Sequence, residues 1–226
     1  MTIAKAERPA EEASVAEETR RGRGRPQQRS DEETRAIVLE AARYEFSHTG
    51  YAATGMEGVA RRAGVSTKTL YRLFPNKAAL FEGMVAYRME SFLATVNLND
   101  IEHEDIAHAL HAALMACADL VLDDEVVALN RMMLAESERF PEIAETFYKT
   151  AMLRTIATLA GWLRRRQQRG QIRLDDAEEA AGMLLGMFVF VPQRAAIYGH
   201  QPLPSRPAIE ARARACATLF LQGCGI

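Results

Sequence analysis

Two short helices, each with its own start signal, constrain the fold of this chain more than any other feature of its sequence. Thr54-x-x-Glu57 is a capping box, in which a hydroxyl and a carboxylate satisfy free backbone groups at the start of a helix. Ser66, in the stretch AGVSTKTLYRLFPNKAAL, is a residue type that favours the position before a second helix. The turn AGVS between them predicts a helix-turn-helix at about residues 54 to 73.

The outer face of the second short helix is polar and aromatic. Thr67 and Tyr71 are four residues apart and Lys68 and Tyr71 are three apart, so the three side chains share one face. An α-helix with its side chains is about 10 to 12 Å wide, which fits the major groove of B-DNA. Hydroxyl, ammonium and phenol groups suit phosphates and base edges. The spacing therefore predicts a surface that enters a groove of double-stranded DNA.

The rest of the chain carries helical patterns and no convincing alternating strand pattern. We expect an all-α protein, with an N-terminal three-helix module that holds the helix-turn-helix at residues 30 to 90 and a larger helical bundle at residues 91 to 226. The other helices are expected from Ser30 to Gly50 and at about residues 76–96, 103–122, 125–139, 141–168, 175–198 and 206–222.

Composition narrows the class of protein. The net charge of −2 argues against a protein that coats DNA without sequence preference, since such binding requires broad neutralisation of phosphates. Three cysteines without a CxxC motif fit reduced thiols in the cytoplasm. The N-terminus lacks the apolar core of a signal peptide. The longest apolar run, residues 181 to 191, is shorter than the roughly 20 residues that span a bilayer, so we expect a cytoplasmic protein without a membrane partner.

The first 29 residues turn from acidic to basic and contain few apolar side chains, which predicts a disordered arm. Arg23-Gly-Arg25-Pro resembles the core of an AT-hook, whose arginines lie in the narrow minor groove of A·T tracts. We therefore expect Arg23 and Arg25 to contact DNA beside the helix-turn-helix. A flexible, solubilising tail is the alternative.

The stretches GYAATGMEGVARRAGVS and TLYRLFPNKAALF closely resemble the DNA-binding module of the tetracycline-repressor (TetR) family of bacterial transcriptional regulators. Downstream, AESERFPEIAETFY is similar to a segment of the AefR/AcrR-like members. The resemblance implies a homodimer on a near-palindromic operator and a C-terminal domain for dimerisation and for a small-molecule effector. It also implies a repressor that needs no cofactor. A ligand-responsive activator stays open as an alternative.

Residue roles follow from the resemblance position by position. Thr54 would begin helix two and contact a phosphate, and Tyr71 and Lys77 would contact the DNA backbone. The chain departs from the family in having both Gly55 and Gly58 in helix two, which weakens that helix. The residues of the recognition helix would be Ser66, Thr67, Lys68 and Thr69.

The C-terminal half is rich in methionine and aromatic residues, which suit a cavity that adapts to its contents. An apolar residue at helical spacing can equally be ordinary core. Glu104, His108 and His111 share a helix face and would be a metal site, a polar pocket lining or a solvated face; we expect no metal. We expect an apolar or aromatic effector. The candidate lining residues are His108, His111, Met115, Met133, Phe147 and Met183.

The last two helices have the character of a dimer surface. Gly182 and Gly186 are four residues apart, a spacing that lets another helix approach closely. Apolar residues around Val191 and Leu219 would extend the surface, and packing within one chain is the alternative.

Other functions fit the sequence less well. The chain contains no GxSxG, no HExxH and no phosphate-binding loop, so we expect no enzyme. A helical adaptor that binds other proteins would have no use for an arginine-rich arm or for the hydroxyl-rich outer face at residues 66 to 72.

Overall fold

The structure is a computed structural model that describes residues 29–95 and 105–224. Arg23, Arg25 and Glu104 therefore lie outside the described residues. The chain divides into two units, Met1–Ser30 and Asp31–Ile226. Every regular element in the described ranges is a helix, which confirms the all-α class. The elements are α1 (Asp31–Thr49), α2 (Met56–Ala63), α3 (Thr67–Leu73), α4 (Lys77–Thr95), α5 (Ile106–Val121), α6 (Asp124–Glu136), α7 (Pro141–Phe147), a π-helical turn (Tyr148–Met152), α8 (Leu153–Gln168), α9 (Ala177–Ile197) and α10 (Arg206–Cys224).

The first three helices form the predicted module. The first two end at glycines where the backbone turns. Gly50, after α1, and Gly64, after α2, have φ of +89° and +65°, which a residue with a side chain rarely adopts. The N–H group of Gly64 bonds back to the last turn of α2. Val38 and Phe46 of α1 and Leu70 of α3 belong to one buried cluster, and none of the three is accessible to solvent.

This module does not have a core of its own. Leu129 and Met132 of α6 and Ile143 of α7 belong to the same buried cluster as the apolar residues of α1 to α4. The boundary expected at residue 90 is therefore not a boundary between two cores. Removing α6 and α7 would return this apolar surface to water, which costs roughly 25 cal/mol per Å².

The remaining helices build a second buried cluster. Small residues such as Ala113 of α5 and Ala213 of α10 are fully buried, which lets these two helices pack closely. Trp162 of α8 and Phe188 of α9 are also buried in this cluster, and α8 and α9 pack against each other. The thiol of Cys117 is buried here, and burial raises its pKa to about 12.

Two helices differ from simple expectation. The helix predicted at residues 141 to 168 is interrupted by the π-helical turn, a feature often found at functional sites. Among the described helices, α9 is the one that is long and apolar enough to cross a membrane by composition. Buried core helices share that composition, and α9 packs against α5, α6, α8 and α10.

Candidate nucleic-acid interface and effector cavity

The α3 helix presents the outer face that the sequence predicts. The Ser66 hydroxyl accepts a 3.0 Å hydrogen bond from the N–H of Thr69, which confirms Ser66 as the cap. Leu70 turns inward and is fully buried, so the opposite side of the helix lies in solvent. Thr67 and Lys68 are exposed, and Tyr71 keeps 45% of its surface exposed. The side chains expected on the recognition helix are thus brought together at the surface.

Two hydroxyls of this helix are less available than the others. Thr69 is half-buried, and its Oγ1 lies 2.8 Å from the Oγ of Ser66. Because each hydroxyl bonds the other, a contact from either to DNA would have to share or replace this bond. Thr67, Lys68 and Tyr71 are the freer contacts.

An ion pair fixes α3 to the first turn of α1. Both terminal nitrogens of Arg72 donate to the carboxylate of Asp31, at 2.7 Å each. This hydrogen bonding, together with the positive charge of Arg72, lowers the pKa of Asp31. The orientation of the recognition helix is thereby tied to α1 by a bidentate contact.

Thr54 does not begin or cap α2 as expected. The α2 helix begins at Met56 with Gly55 as its cap, and Gly55 makes no side-chain cap bond. The Thr54 hydroxyl instead donates to the carbonyl of Gly50 at 2.6 Å, and the residue is only 4% exposed. The hydroxyl of Thr54 is therefore used within the protein and is not offered to a phosphate in this structure. Gly55 also lies outside the helix, so Gly58 is the single glycine within α2.

Lys77 also has a different position from the one expected. Its Nζ donates to the backbone carbonyls of Tyr51, Ala52 and Thr54 at 2.7, 3.2 and 3.1 Å, which uses all three ammonium protons. Burial lowers the pKa of Lys77. The cation in the first turn of α4 is thus explained by carbonyl oxygens of the loop before α2, and a phosphate is not needed to account for it.

The same loop is also held by Glu136, which lies in the stretch AESERFPEIAETFY but which the sequence gives no role of its own. Its carboxylate accepts from the N–H groups of Tyr51 and Ala52 at 3.1 and 2.6 Å. The Tyr51 hydroxyl donates to Glu142 of α7 at 3.4 Å. Burial, with the nearby charge of Glu142, raises the pKa of Tyr51 to about 12. Hydrogen bonds from the start of α4 and the end of α6 therefore hold the loop that leads into the helix-turn-helix.

A cavity of about 370 Å³ lies between α4, α6, α8 and α9. This volume is within the range of small-molecule pockets. The π-helical turn contributes Ala151 and Met152 to its wall. Most of the lining is apolar, and the polar lining residues are Arg88, Asn130, Thr155, Gln193 and Arg194.

One of the six candidate lining residues, Phe147, lies in the described lining of this cavity. The helical spacing had shown which residues share a face, but it had not shown which neighbour that face meets. Met183 is 64% exposed, and His108 is also exposed, whereas His111 is half-buried. Met115 belongs to the core around Trp162, and Met133 packs against the core of the N-terminal helices. The described lining of this cavity does not include His108, His111, Met115, Met133 or Met183. No group of three or more potential metal ligands occurs among the described residues, which do not include Glu104.

The glycine pair of α9, which the sequence analysis assigns to a dimer surface, also lies beside the cavity. Gly182 and Gly186 line the cavity, and a Cβ added to either would meet no atom within 4 Å. Within this chain the two glycines therefore leave open space beside the cavity, and the approach of a helix from a second chain stays a prediction. Apolar side chains that stay exposed on the last two helices are Met183, Met187, Phe190, Val191 and Leu219.

Comparison with known proteins identifies relatives of both halves of the chain. Residues 38–84 match the model of bacterial regulatory proteins of the tetR family, and residues 108–223 match that of the AefR-like transcriptional repressor C-terminal domain. The chain is similar to the HTH-type transcriptional regulator TtgR of Pseudomonas putida, with 30% identity over 71% of this chain and 77% of TtgR.

Solved structures share the fold. A TetR-family regulator from Mesorhizobium loti is 25% identical, with a TM-score of 0.77 over 88% of this chain and 100% of that one. The flavonoid-responsive regulator FrrA is 30% identical, with a TM-score of 0.68 over 85% of this chain and 97% of FrrA.

Proposed function

Since the chain belongs to the tetR family of bacterial regulatory proteins and is a DNA-binding transcriptional regulator, we propose that it is a homodimeric repressor. It binds a near-palindromic operator and leaves it when a small apolar or aromatic effector occupies the cavity. The observation that carries this proposal is the exposed face of α3, with Thr67, Lys68 and Tyr71 side by side on a helix fixed by its cap. A cytoplasmic location follows from this function.

The DNA contacts we propose are graded by exposure. Thr67, Lys68 and Tyr71 reach phosphates or base edges directly, and Ser66 and Thr69 contribute through their shared hydroxyl pair. Thr54 and Lys77 act indirectly, because they shape the loop before α2.

The dimer surface we propose is the exposed apolar part of α9 and α10. Val191 and Leu219 are 60% and 61% exposed, and large apolar groups in such numbers on neighbouring helices are typical of interfaces. A two-fold dimer places two recognition helices on successive major grooves, which explains a palindromic operator.

The effector would act through α4 and α6, which connect the cavity with the loop before α2. Met84 and Val85 of α4 and Leu129 of α6 line the cavity. The same two helices hold the loop before α2 through Lys77 and Glu136. An effector that moves either helix would change the spacing of the two recognition helices. DNA affinity would then change by as much as the effector prefers the conformation that does not bind DNA over the one that does. FrrA, which shares this fold, is flavonoid-responsive by name, and an aromatic effector fits the apolar lining here.

The experiment that tests this function is capture of fragmented genomic DNA from the source organism by the purified protein at physiological salt, followed by sequencing. The control variant carries Lys68→Ala and Tyr71→Ala, both exposed residues, so that its folding is preserved. We expect a few sharp peaks that share a palindrome and are lost in the control. Diffuse enrichment that survives in the control would contradict sequence-specific binding by α3.

A further inference from the structure

The polar part of the cavity wall has a positive character. Arg88 of α4 and Arg194 of α9 are the ionisable side chains among the described lining residues, and none of those residues is acidic. The guanidinium of Arg194 lies 5.7 Å from the ring of Phe190. A cavity with apolar walls and two arginines favours a ligand that brings negative charge, because Coulomb attraction is stronger away from bulk water.

Arg88 has a donor that nothing in the described part of the chain uses. One of its terminal nitrogens lies 3.1 Å from a carboxylate oxygen of Asp123. Its Nε is buried and has no hydrogen-bond partner there. Nearly all buried polar groups in folded proteins have a partner, so the Arg88 guanidinium beside the cavity has fewer acceptors than it has donors.

Asp123 lies beside the guanidinium, yet the Nε of Arg88 makes no hydrogen bond to it. The same oxygen accepts from the N–H groups of Glu125 and Val126 at 3.0 and 3.2 Å and so caps α6. The charge of Asp123 is therefore shared between the helix start and one end of the Arg88 guanidinium.

The uncharged polar residues of the lining already use donors within the protein. Asn130 donates to the carbonyl of Val126 at 2.8 Å, and Gln193 donates to that of Val121 at 3.0 Å. Thr155 donates its hydroxyl proton to the carbonyl of Ala151. An acceptor on a ligand is thus best met by arginine, whose planar guanidinium carries several N–H donors and a positive charge.

We propose that the effector of this cavity is an apolar molecule that carries one anionic oxygen group, and that Arg88 binds this group. The inference rests on the proposed effector role of the cavity and adds the chemical class of the ligand. Because Arg88 lies on α4, the anion contacts the helix that begins at Lys77 and holds the loop before the helix-turn-helix.

Two fluorescent probes with the same aromatic body test the proposal on the full-length protein. One is 8-anilinonaphthalene-1-sulfonate, and the other is N-phenyl-1-naphthylamine, which lacks the sulfonate. We expect the anionic probe to bind at least about tenfold more tightly than the neutral one, as a charge-assisted hydrogen bond would give. Arg88→Gln should weaken binding of the anionic probe by about 10- to 100-fold and leave that of the neutral probe nearly unchanged.

Two further variants separate the site from its surroundings. Asp123→Asn keeps a good helix cap but removes the competing charge, so it should tighten binding of the anionic probe. Gly186→Phe adds a ring at a residue that lines the cavity, where an added Cβ has free space, and should abolish binding of both probes. Circular dichroism of each variant shows whether it is folded.

The outcomes distinguish this inference from the function on which it rests. Equal affinities for the two probes, a preference that survives Arg88→Gln, or loss of the anionic probe in Asp123→Asn would overturn the role of Arg88 and leave the cavity as effector site. Binding of both probes that is insensitive to Gly186→Phe, or no binding at all, would overturn the cavity as effector site as well.

Discussion

The carboxylate of Glu136 accepts a 2.6 Å hydrogen bond from the backbone N–H of Ala52, 84 residues earlier in the chain. This contact joins the last residue of α6 to the loop that precedes the helix-turn-helix. On the opposite side of the loop, Lys77 donates to the carbonyl of the same residue, Ala52. A loop held by two charged side chains on both its N–H and its C=O groups has little freedom to move independently of α4 and α6.

We therefore expect Glu136→Gln to destabilise the fold and to weaken operator binding. The amide keeps one acceptor but turns a donor toward a backbone N–H, and an unmet hydrogen bond of this kind costs about 1 to 3 kcal/mol. Urea unfolding measures the free energy of unfolding, and fluorescence anisotropy measures operator affinity. Glu138→Gln, at an exposed position nearby, serves as the control and should change stability by less than about 0.5 kcal/mol. Equal urea midpoints for the two variants would contradict the contact.

The pair of Asp31 and Arg72 predicts a dependence on pH. The hydrogen bonds and charge of Arg72 place the pKa of Asp31 in the folded state below its ordinary value of about 3.9. The pair therefore stabilises the fold above that ordinary value, and the contribution is lost as pH falls through the lower pKa of the folded state. An NMR titration of the Asp31 carboxyl carbon should show this lowered pKa. Arg72→Gln should return it toward the ordinary value, whereas Arg61→Gln, an exposed control on α2, should not.

Lys68 should account for about one unit of the salt dependence of DNA binding if it contacts a phosphate. Each phosphate that a cation neutralises releases counterions, so log affinity falls more steeply with log salt concentration. We expect Lys68→Ala to weaken binding to all operator variants and to reduce the slope by about 1. Lys149→Ala, an equally exposed lysine outside the helix-turn-helix, should leave the slope unchanged. A slope that Lys68→Ala does not alter would place the ammonium of Lys68 away from phosphate.

Charge placed in the proposed dimer surface should separate the protomers. Val191→Glu and Leu219→Glu introduce carboxylates at two exposed apolar positions of α9 and α10. Burying an unpaired charge in an interface is strongly unfavourable. We expect light scattering to give the mass of one chain for both variants and of two chains for the wild type. Leu134→Glu, at a comparably exposed position on α6, is the control and should remain a dimer. Wild-type protein with the mass of one chain would contradict the proposed interface.

Local signals in the sequence were sufficient for the helices and for the outer face of α3. Ser66 caps its helix through a bond to Thr69 only three residues away, and Gly64 adopts a backbone conformation that its own residue type favours. These features depend on neighbours in sequence, so spacing reveals them. The family resemblance is concentrated in the same region.

The features that sequence patterns did not reveal depend on the path of the backbone or on contacts between distant segments. Thr54 has the residue type of a cap, yet its hydroxyl bonds backward to Gly50, since the preceding loop places that carbonyl within reach. Met115 and Phe147 are equally apolar, and only the packing of other helices decides that the first is core and the second lines the cavity. Glu136 and Arg88 have partners that are remote in the chain, so helical spacing does not reveal their contacts.

The buried cluster that α1 to α4 share with Leu129, Met132 and Ile143 has a consequence for hybrid regulators. A biosensor made by joining the N-terminal module to the effector domain of another regulator would put foreign side chains against an established core. A hybrid that also carries α6 and α7 keeps that core but brings part of the cavity wall with it. The DNA-binding module and the rest of the chain therefore cannot be exchanged independently. A working hybrid requires redesign of the packing at these three positions.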